Sequence, residues 1–252
     1  MTILEATILG IIQGFTEFLP ISSSGHLVLG QAILGIEQPG NEFEILVHLG
    51  TLASVLVIFF DDIKSLILSL ASKKTQIFIM YILIGTLPAV GIGLGFKDLI
   101  YSLFENVTAV GGALIFTGVV LFGSSFANRQ DKEHSFLTCI LIGCAQAMAI
   151  IPGVSRSGMT ISAALFLGLS AKEAARFSFL LAIPAIGGAG LLTALDVSGG
   201  FQMPLPVALA GLTSSFAVGV VALKWLLGWL EQGKFHYFGI YCLVVGLITL
   251  VV

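Results

Sequence analysis

The chain has 252 residues, of which 57% are hydrophobic and 10% are charged, and its mean hydropathy is +1.06. Soluble domains carry roughly 25% charged residues, so water is not the main solvent of this protein. The net charge of −3, without a long run of lysine and arginine, argues against a nucleic-acid partner. Apolar runs of about 17 to 25 residues recur along the chain, which is the length that crosses a bilayer. We therefore expect a single membrane domain over residues 1–252, with the lipid bilayer as its surroundings.

The first apolar segment is broken near Pro20. It reads as a helix, a Ser/Gly-rich bend and a second apolar stretch. Gln13 and Glu17 are four positions apart and share one helix face just before the bend. The polar residues of the bend and the next turn are Ser22, Ser23, Ser24 and His26. Each arm is too short to cross a bilayer alone, so the segment is either one kinked span or a re-entrant hairpin.

Six further apolar segments follow. The predicted spans are residues 42–60, 77–96, 107–127, 173–195, 204–228 and 236–252. A second broken segment, centred on Pro152, lies between the third and the fourth of these spans. Its polar residues are Ser155, Arg156, Ser157 and Thr160.

The two broken segments are copies of one pattern. Aligning Gly10 with Gly143 also aligns Gln13, Ser22, Ser24 and Gly25 with, in order, Gln146, Ser155, Ser157 and Gly158. The chain therefore divides into two related halves, approximately residues 1–128 and 129–252.

The lysines and arginines decide between kinked spans and hairpins. If both broken segments are re-entrant, only Lys97 lies on one face, and the other face carries Lys64, Lys73, Lys74, Arg129, Lys132, Lys172, Arg176, Lys224 and Lys234. If both segments span, the same residues divide evenly, which loses the cytoplasmic excess expected of short loops. We therefore predict an all-α polytopic membrane protein with six transmembrane helices and two re-entrant helical hairpins, and with both termini outside. Three crossings per half make the repeat inverted, so the two hairpin tips can meet near the midplane.

The tips carry most of the polarity inside the membrane. Glu17 and Arg156 would each cost several kcal/mol at membrane depth unless paired or hydrated, which favours a functional role. Arg156 suits a phosphate because its planar guanidinium binds two oxygens at once. The helices that restart after each bend add free N–H groups. Hydrolysis further needs a nucleophile and a proton carrier, and spacing does not tell which serine would attack.

Purely structural explanations of these motifs compete with the functional interpretation. A helix N-cap followed by a core histidine would explain a single SSSGH motif, but two equivalent bends favour a shared site. Gln13 and Gln146 fit equally well as a hydrogen-bonded pair that ties the hairpins together. We interpret His48 as a bundle-facing residue satisfied by a hydroxyl group, and the three cysteines as packing residues.

The motifs QGFTEFLPISSSGHL and PGVSRSGMT resemble those of the undecaprenyl diphosphate phosphatase family, also known as bacitracin-resistance proteins. The resemblance covers nearly the whole chain. It implies hydrolysis of undecaprenyl diphosphate to the monophosphate in the bacterial cytoplasmic membrane, which recycles the cell-wall carrier lipid and confers bacitracin resistance. It also implies catalytic roles: Ser23 as the nucleophile, Glu17 as its base or a metal-site carboxylate, His26 as an orienting or protonating group, and Arg156 as the diphosphate clamp.

The same resemblance implies a substrate-binding set and a cofactor. The set comprises Gln13, Ser22, Ser24, Ser155, Ser157 and Thr160. The cofactor is a divalent cation, Mg²⁺ or Ca²⁺, with Glu17 as a ligand; Gln13 occupies the first acidic position of the family motif, so the ion cannot rest on two carboxylates. The alternative function is a lipid or ion transporter, because inverted repeats with broken helices are typical of transporters. The oligomeric state is open, a homo-oligomer included.

Overall fold

The computed structural model describes residues 1–36, 41–96, 100, 103, 106–127, 131–196 and 203–251. These residues form helices and loops, with no strand among them, which confirms the all-α prediction. The helices are α1 (Ile3–Phe18), α2 (Ser23–Leu34), α3 (Asn41–Ile58), α4 (Phe60–Leu68), α5 (Lys73–Gly95), α6 (Val107–Gly123), α7 (Phe136–Met148), α8 (Arg156–Phe166), α9 (Ala171–Asp196), α10 (Leu205–Glu231) and α11 (Tyr237–Val251). A short 3₁₀ helix, Ser124–Phe126, extends α6.

Several helices are long and apolar enough to cross a bilayer. Within the described ranges there are four such spans: Lys73–Gly95, Val107–Phe126, Ala171–Leu192 and Leu205–Glu231. Helices α3 and α4 give a fifth if they count as one span bent by 69°. Helix α11 is apolar but only about 22 Å long, shorter than the hydrocarbon core. The protein is therefore a multi-pass membrane protein, and helix length alone supports four or five crossings.

The helices pack so that both broken segments are enclosed. Helix α1 lies along α10, α7 lies along α5, and α6 pairs with α11. Close approach depends on small residues: a Cβ on Gly14 of α1 would stand 2.8 Å from the carbonyl oxygen of Ser215 in α10. The larger core cluster includes Phe18 at the end of α1, whose ring meets the ring of Phe179 in α9 at 5.8 Å.

The breaks lie at residues 19–22 and 149–155, where the sequence predicted them. Ser22 has φ +69° and caps α2 by accepting the N–H of Gly25 at 3.4 Å. Gly153 has φ +94°, and a Cβ there would stand 2.5 Å from the carbonyl oxygen of Val110, so this position requires glycine. The N–H of Gly153 donates to Ser22 Oγ at 3.1 Å. The two tips are therefore in contact.

One end of the bundle is strongly charged. Arg176 Nε donates to Asp62 Oδ1 at 2.6 Å, which joins α9 to α4, and Arg176 Nη1 lies 3.4 Å from Glu173 Oε2. A cavity of about 340 Å³ opens here, lined by Phe59, Asp62, Ala171, Lys172, Glu173, Ala175, Arg176, Leu227, Leu230 and Glu231. Lys97 and Arg129, which entered the predicted charge division, lie outside the described residues.

Candidate active site

The carboxylate of Glu17 lies where the two broken segments meet. Its Oε1 accepts a hydrogen bond from Arg156 Nη2 at 2.6 Å, and its Oε2 accepts one from Ser23 Oγ at 2.7 Å. Gln13 Nε2 donates to the same Oε2 at 3.0 Å. The Glu17 side chain is 5% exposed and that of Arg156 15%. Residues 139 positions apart in the chain therefore form a buried ion pair. The sequence predicted that the two residues share one site, and the structure adds the direct bond between them.

Local helix geometry puts these side chains in place. Glu17 is in the last turn of α1, which ends at Phe18; Leu19, the residue before Pro20, has an extended backbone with ψ 137°, as a following proline favours. Ser23 opens α2 on the other side of the break, so its hydroxyl faces back towards Glu17. Arg156 opens α8, after Ser155 caps that helix by accepting the N–H of Gly158 at 3.1 Å.

Part of the hydrogen-bonding capacity at the site is unused. Arg156 Nη1 and Gln13 Oε1 are buried and have no hydrogen-bond partner among the described residues. A buried guanidinium nitrogen without an acceptor is costly, and an anionic oxygen would satisfy it. Arg156 can thus hold Glu17 with one nitrogen and a phosphate oxygen with the other.

His26 lies beside the serine and not against the carboxylate. It is three residues after Ser23 on α2, so the two side chains lie on the same face of the helix. Its Nδ1 is 2.8 Å from the carbonyl oxygen of Ser22, and its Nε2 is 2.8 Å from the hydroxyl of Tyr241 in α11. The imidazole therefore has both nitrogens engaged, and neither bond is to Glu17.

The other predicted hydroxyl groups hold the tips together. The Oγ atoms of Ser22 and Ser24 are 3.3 Å apart, as are those of Ser155 and Ser157. Thr160 Oγ1 bonds the carbonyl oxygen of Arg156 at 2.9 Å and lies 2.5 Å from Ser178 Oγ. This geometry gives Thr160 a part in packing the start of α8 against α9, and its bond to a phosphate stays a prediction.

The reading of Gln13 and Gln146 as a hydrogen-bonded pair is wrong. Gln13 Nε2 donates to Glu17 instead. Both amide atoms of Gln146 are buried and have no partner in the part of the chain that the structure describes.

Two residues at the site were missed by sequence reasoning. His48 Nε2 lies 3.7 Å from Glu17 Oε2, and its Nδ1 bonds the carbonyl oxygen of Glu44 at 2.7 Å, so the expected hydroxyl partner was wrong. An ionisable residue inside an apolar span was a usable signal for His48. Tyr241 gave no signal, because tyrosines commonly sit at membrane interfaces.

The site offers limited ligands for a metal ion. In the described ranges no group of three or more histidine, cysteine, aspartate and glutamate side chains could hold one. Glu17 supplies one carboxylate, and Gln13 Oε1 is a free neutral oxygen beside it. Mg²⁺ is commonly bound through one or two carboxylates, with substrate phosphates and water as its other ligands. The residues therefore fit an ion that shares the substrate's oxygens, and do not form a cage of their own.

A family profile and several named relatives match this chain over nearly its full length, and they agree with one another. A family profile described as "Bacitracin resistance protein BacA" matches residues 6–248. A protein of Desulforapulum autotrophicum named undecaprenyl-diphosphatase is 39% identical over 274 residues, covering 100% of this chain and 98% of the relative. Proteins with the same name from Syntrophotalea carbinolica and Halothermothrix orenii are 40% and 42% identical; the alignments cover 98% and 100% of this chain and 97% and 98% of those relatives.

Proposed function

Because the chain belongs to the bacitracin resistance protein BacA family, we infer that it is an enzyme that hydrolyses undecaprenyl diphosphate to undecaprenyl phosphate and inorganic phosphate. The observation that carries this inference is the buried carboxylate of Glu17, which binds a serine hydroxyl with one oxygen and an arginine with the other. A serine needs an adjacent base to act as a nucleophile, and a diphosphate needs a cation. Consumption of the diphosphate lipid also accounts for bacitracin resistance, because that lipid is what the antibiotic sequesters.

We propose that Ser23 attacks the terminal phosphorus. Its Oγ forms the new P–O bond, the bond to the bridging oxygen breaks, and the monophosphate lipid leaves with that oxygen. The serine proton passes to Glu17 Oε2, 2.7 Å away. Glu17 releases this proton with the departing monophosphate lipid and is a carboxylate again. Water then attacks the phosphorus of the phosphoserine, and the bond between phosphorus and Ser23 Oγ breaks. Glu17 accepts the proton of that water and returns it to Ser23 Oγ, so that inorganic phosphate leaves and the site is restored.

The second hairpin supplies the anion site. Arg156 presents its free Nη1 to the phosphate oxygens, and the first turn of α8 adds backbone N–H groups and the positive end of the helix dipole. Donors fixed in a site that excludes water stabilise the charge of the transferring phosphoryl group. Ser22, Ser24, Ser155 and Ser157 line the two bends and would donate further hydrogen bonds.

A divalent cation remains part of the proposal. Glu17 and the oxygen of Gln13 would hold it together with the substrate's phosphates. Such an ion would neutralise part of the diphosphate charge.

We also propose the finer topology: six crossings, two re-entrant hairpins and an inverted repeat of residues 1–128 and 129–252. Helix packing supports it, because α1 lies on α10 of the other half and its counterpart α7 lies on α5 of the first half. Charge supports it too, since Asp62, Lys172 and Arg176 line one cavity at one end of the bundle. This end would be cytoplasmic in the bacterial inner membrane, with both termini outside.

The function is tested by phosphate release from a C55 diphosphate lipid by the purified protein in detergent. The monophosphate lipid serves as the control substrate and should release nothing. Release with wild type and its loss in Ser23→Ala support the assignment. Movement of the lipid across vesicle membranes without any release would favour a transporter instead.

The topology is tested separately by labelling single cysteines from outside intact cells. A cysteine placed at Lys97 should react with an impermeant reagent, and one at Lys73 should not. Reaction at Lys73 would reject the proposed orientation.

A further inference from the structure

His26 is held by two hydrogen bonds that define the state of its ring. The carbonyl oxygen of Ser22 can only accept, so the Nδ1 that lies 2.8 Å from it carries a proton. The neutral ring then has its lone pair on Nε2, where the hydroxyl of Tyr241 donates at 2.8 Å. The rings of His26 and Tyr241 are also nearly parallel, 5.7 Å apart with an interplanar angle of 17°.

The backbone that carries Tyr241 is fixed to the same machinery. The next residue, Cys242, is buried and its Sγ donates to the carbonyl oxygen of Pro20 in the first tip at 3.4 Å. Helix α11 packs closely on α6, since a Cβ on Gly239 would stand 2.8 Å from the carbonyl oxygen of Gly118. Helix α6 in turn binds the second tip, where Thr117 Oγ1 donates to Gly153 at 3.1 Å. The phenol therefore extends from a support that contacts both hairpins.

Among the described residues, Tyr241 is the side chain that bonds Nε2 of His26. Its Nδ1 bond is to a residue of its own helix turn, so the ring could still rotate about its side-chain bonds. Ser23, on the same face of α2, is bonded to Glu17 and leaves the histidine no part in activating the nucleophile. An orienting or protonating role for His26 requires a ring with a fixed orientation and tautomer, and the hydroxyl of Tyr241 bonded to Nε2 would fix both.

We propose that Tyr241 is a positioning residue of the reaction: its hydroxyl fixes the tautomer and the orientation of His26 from helix α11. The proposal rests on the phosphatase function inferred above. It assigns α11 a part in the active site, although no motif in that helix predicted one.

The test is a double-mutant cycle of Tyr241→Phe and His26→Ala on the full-length protein in detergent. Phenylalanine keeps the stacked ring and removes only the hydroxyl. In the wild-type background Tyr241→Phe should lower kcat by roughly 10-fold, the lower end of what loss of a partner that orients a functional histidine costs. KM should stay within about 2-fold, because the bond does not touch the lipid headgroup. In the His26→Ala background the same substitution should change nothing further, measured in single turnovers with enzyme in excess.

Tyr237→Phe is the matched control. Tyr237 lies one turn earlier on α11 and is 50% exposed, against 42% for Tyr241, so the same substitution is made at a similarly exposed position of the same helix. It should leave kcat unchanged. An unchanged kcat in Tyr241→Phe would overturn the proposal. So would a double variant whose fold-loss in kcat equals the product of the two single losses, because Tyr241 would then act independently of His26. Absence of phosphate release from wild type is a different failure, which overturns the phosphatase function itself.

Discussion

Arg156 has two roles, to pair with Glu17 and to bind the substrate phosphate, and its replacement by alanine tests both. Arg156 Nη2 holds Glu17 Oε1 at 2.6 Å, and its buried Nη1 is free for substrate. The substitution removes both the partner of a buried carboxylate and the cation of the anion site. We therefore expect it to lower stability and activity together.

The loss of stability and the loss of activity in Arg156→Ala can be distinguished by adding the substitution Glu17→Gln. Removing one partner of a buried ion pair costs about 3 to 5 kcal/mol, because the other charge stays buried without compensation. Both side chains are at least 85% buried, so we expect a loss near the lower value, about 3 kcal/mol. The double variant Arg156→Ala/Glu17→Gln has no such charge and should recover most of this stability. Activity should not recover: each variant should lose about 10³-fold in kcat/KM, as when a charge-stabilising donor or clamp is removed.

Thermal unfolding in detergent and phosphate release from the C55 diphosphate lipid measure the two quantities. Arg176→Ala is the matched control, because Arg176 forms a similar 2.6 Å bond with Asp62 at the charged end, where it is more exposed. Its loss should cost no more than about 1 kcal/mol and leave turnover intact. Destabilisation that is simply additive in the double variant would refute the contact between Arg156 and Glu17.

Three further substitutions test single parts of the site. Ser23→Ala should abolish the acid-stable phosphoenzyme that wild type forms with lipid labelled in its terminal phosphate, whereas Ser24→Ala should keep it; labelling of the Ser23 variant would show that another group attacks. Gly153→Ala should lower kcat/KM by about 10-fold or more and destabilise the fold by over 1 kcal/mol, because φ +94° disfavours a side chain and the Cβ would meet Val110; normal activity would mean that the tip geometry differs. His48→Leu should reduce kcat/KM by about 5-fold because its contact with Glu17 is lost, and His48→Gln should recover part of this activity. Wild-type activity in both variants would show that His48 has no role in the reaction.

The sequence was sufficient for the elements that depend on local chemistry. Hydropathy located the long helices, because a bilayer requires long uninterrupted apolar runs. Pro20 and Pro152 located both breaks because each is followed by a Ser/Gly-rich bend; a proline alone was not decisive, since Pro88 and Pro184 lie inside α5 and α9. Duplication of the Ser-Gly bend then predicted that Glu17 and Arg156 share one site, and the structure brings them to 2.6 Å.

Only the tertiary structure decided which partner each polar group at the site bonds. Gln13 could satisfy its amide on Gln146 or on Glu17, and only packing selects Glu17. His48 was noticeable as an ionisable residue in an apolar span, and Tyr241 was not, but neither could be assigned to the site from the sequence. Both reach it because α3 and α11 pack beside the first hairpin. The buried carboxylate and its arginine were thus readable from the chain, because charge inside a membrane must be paired. The orientation of His26 was not, because it depends on a hydroxyl 215 positions away, brought close by the packing of helices alone.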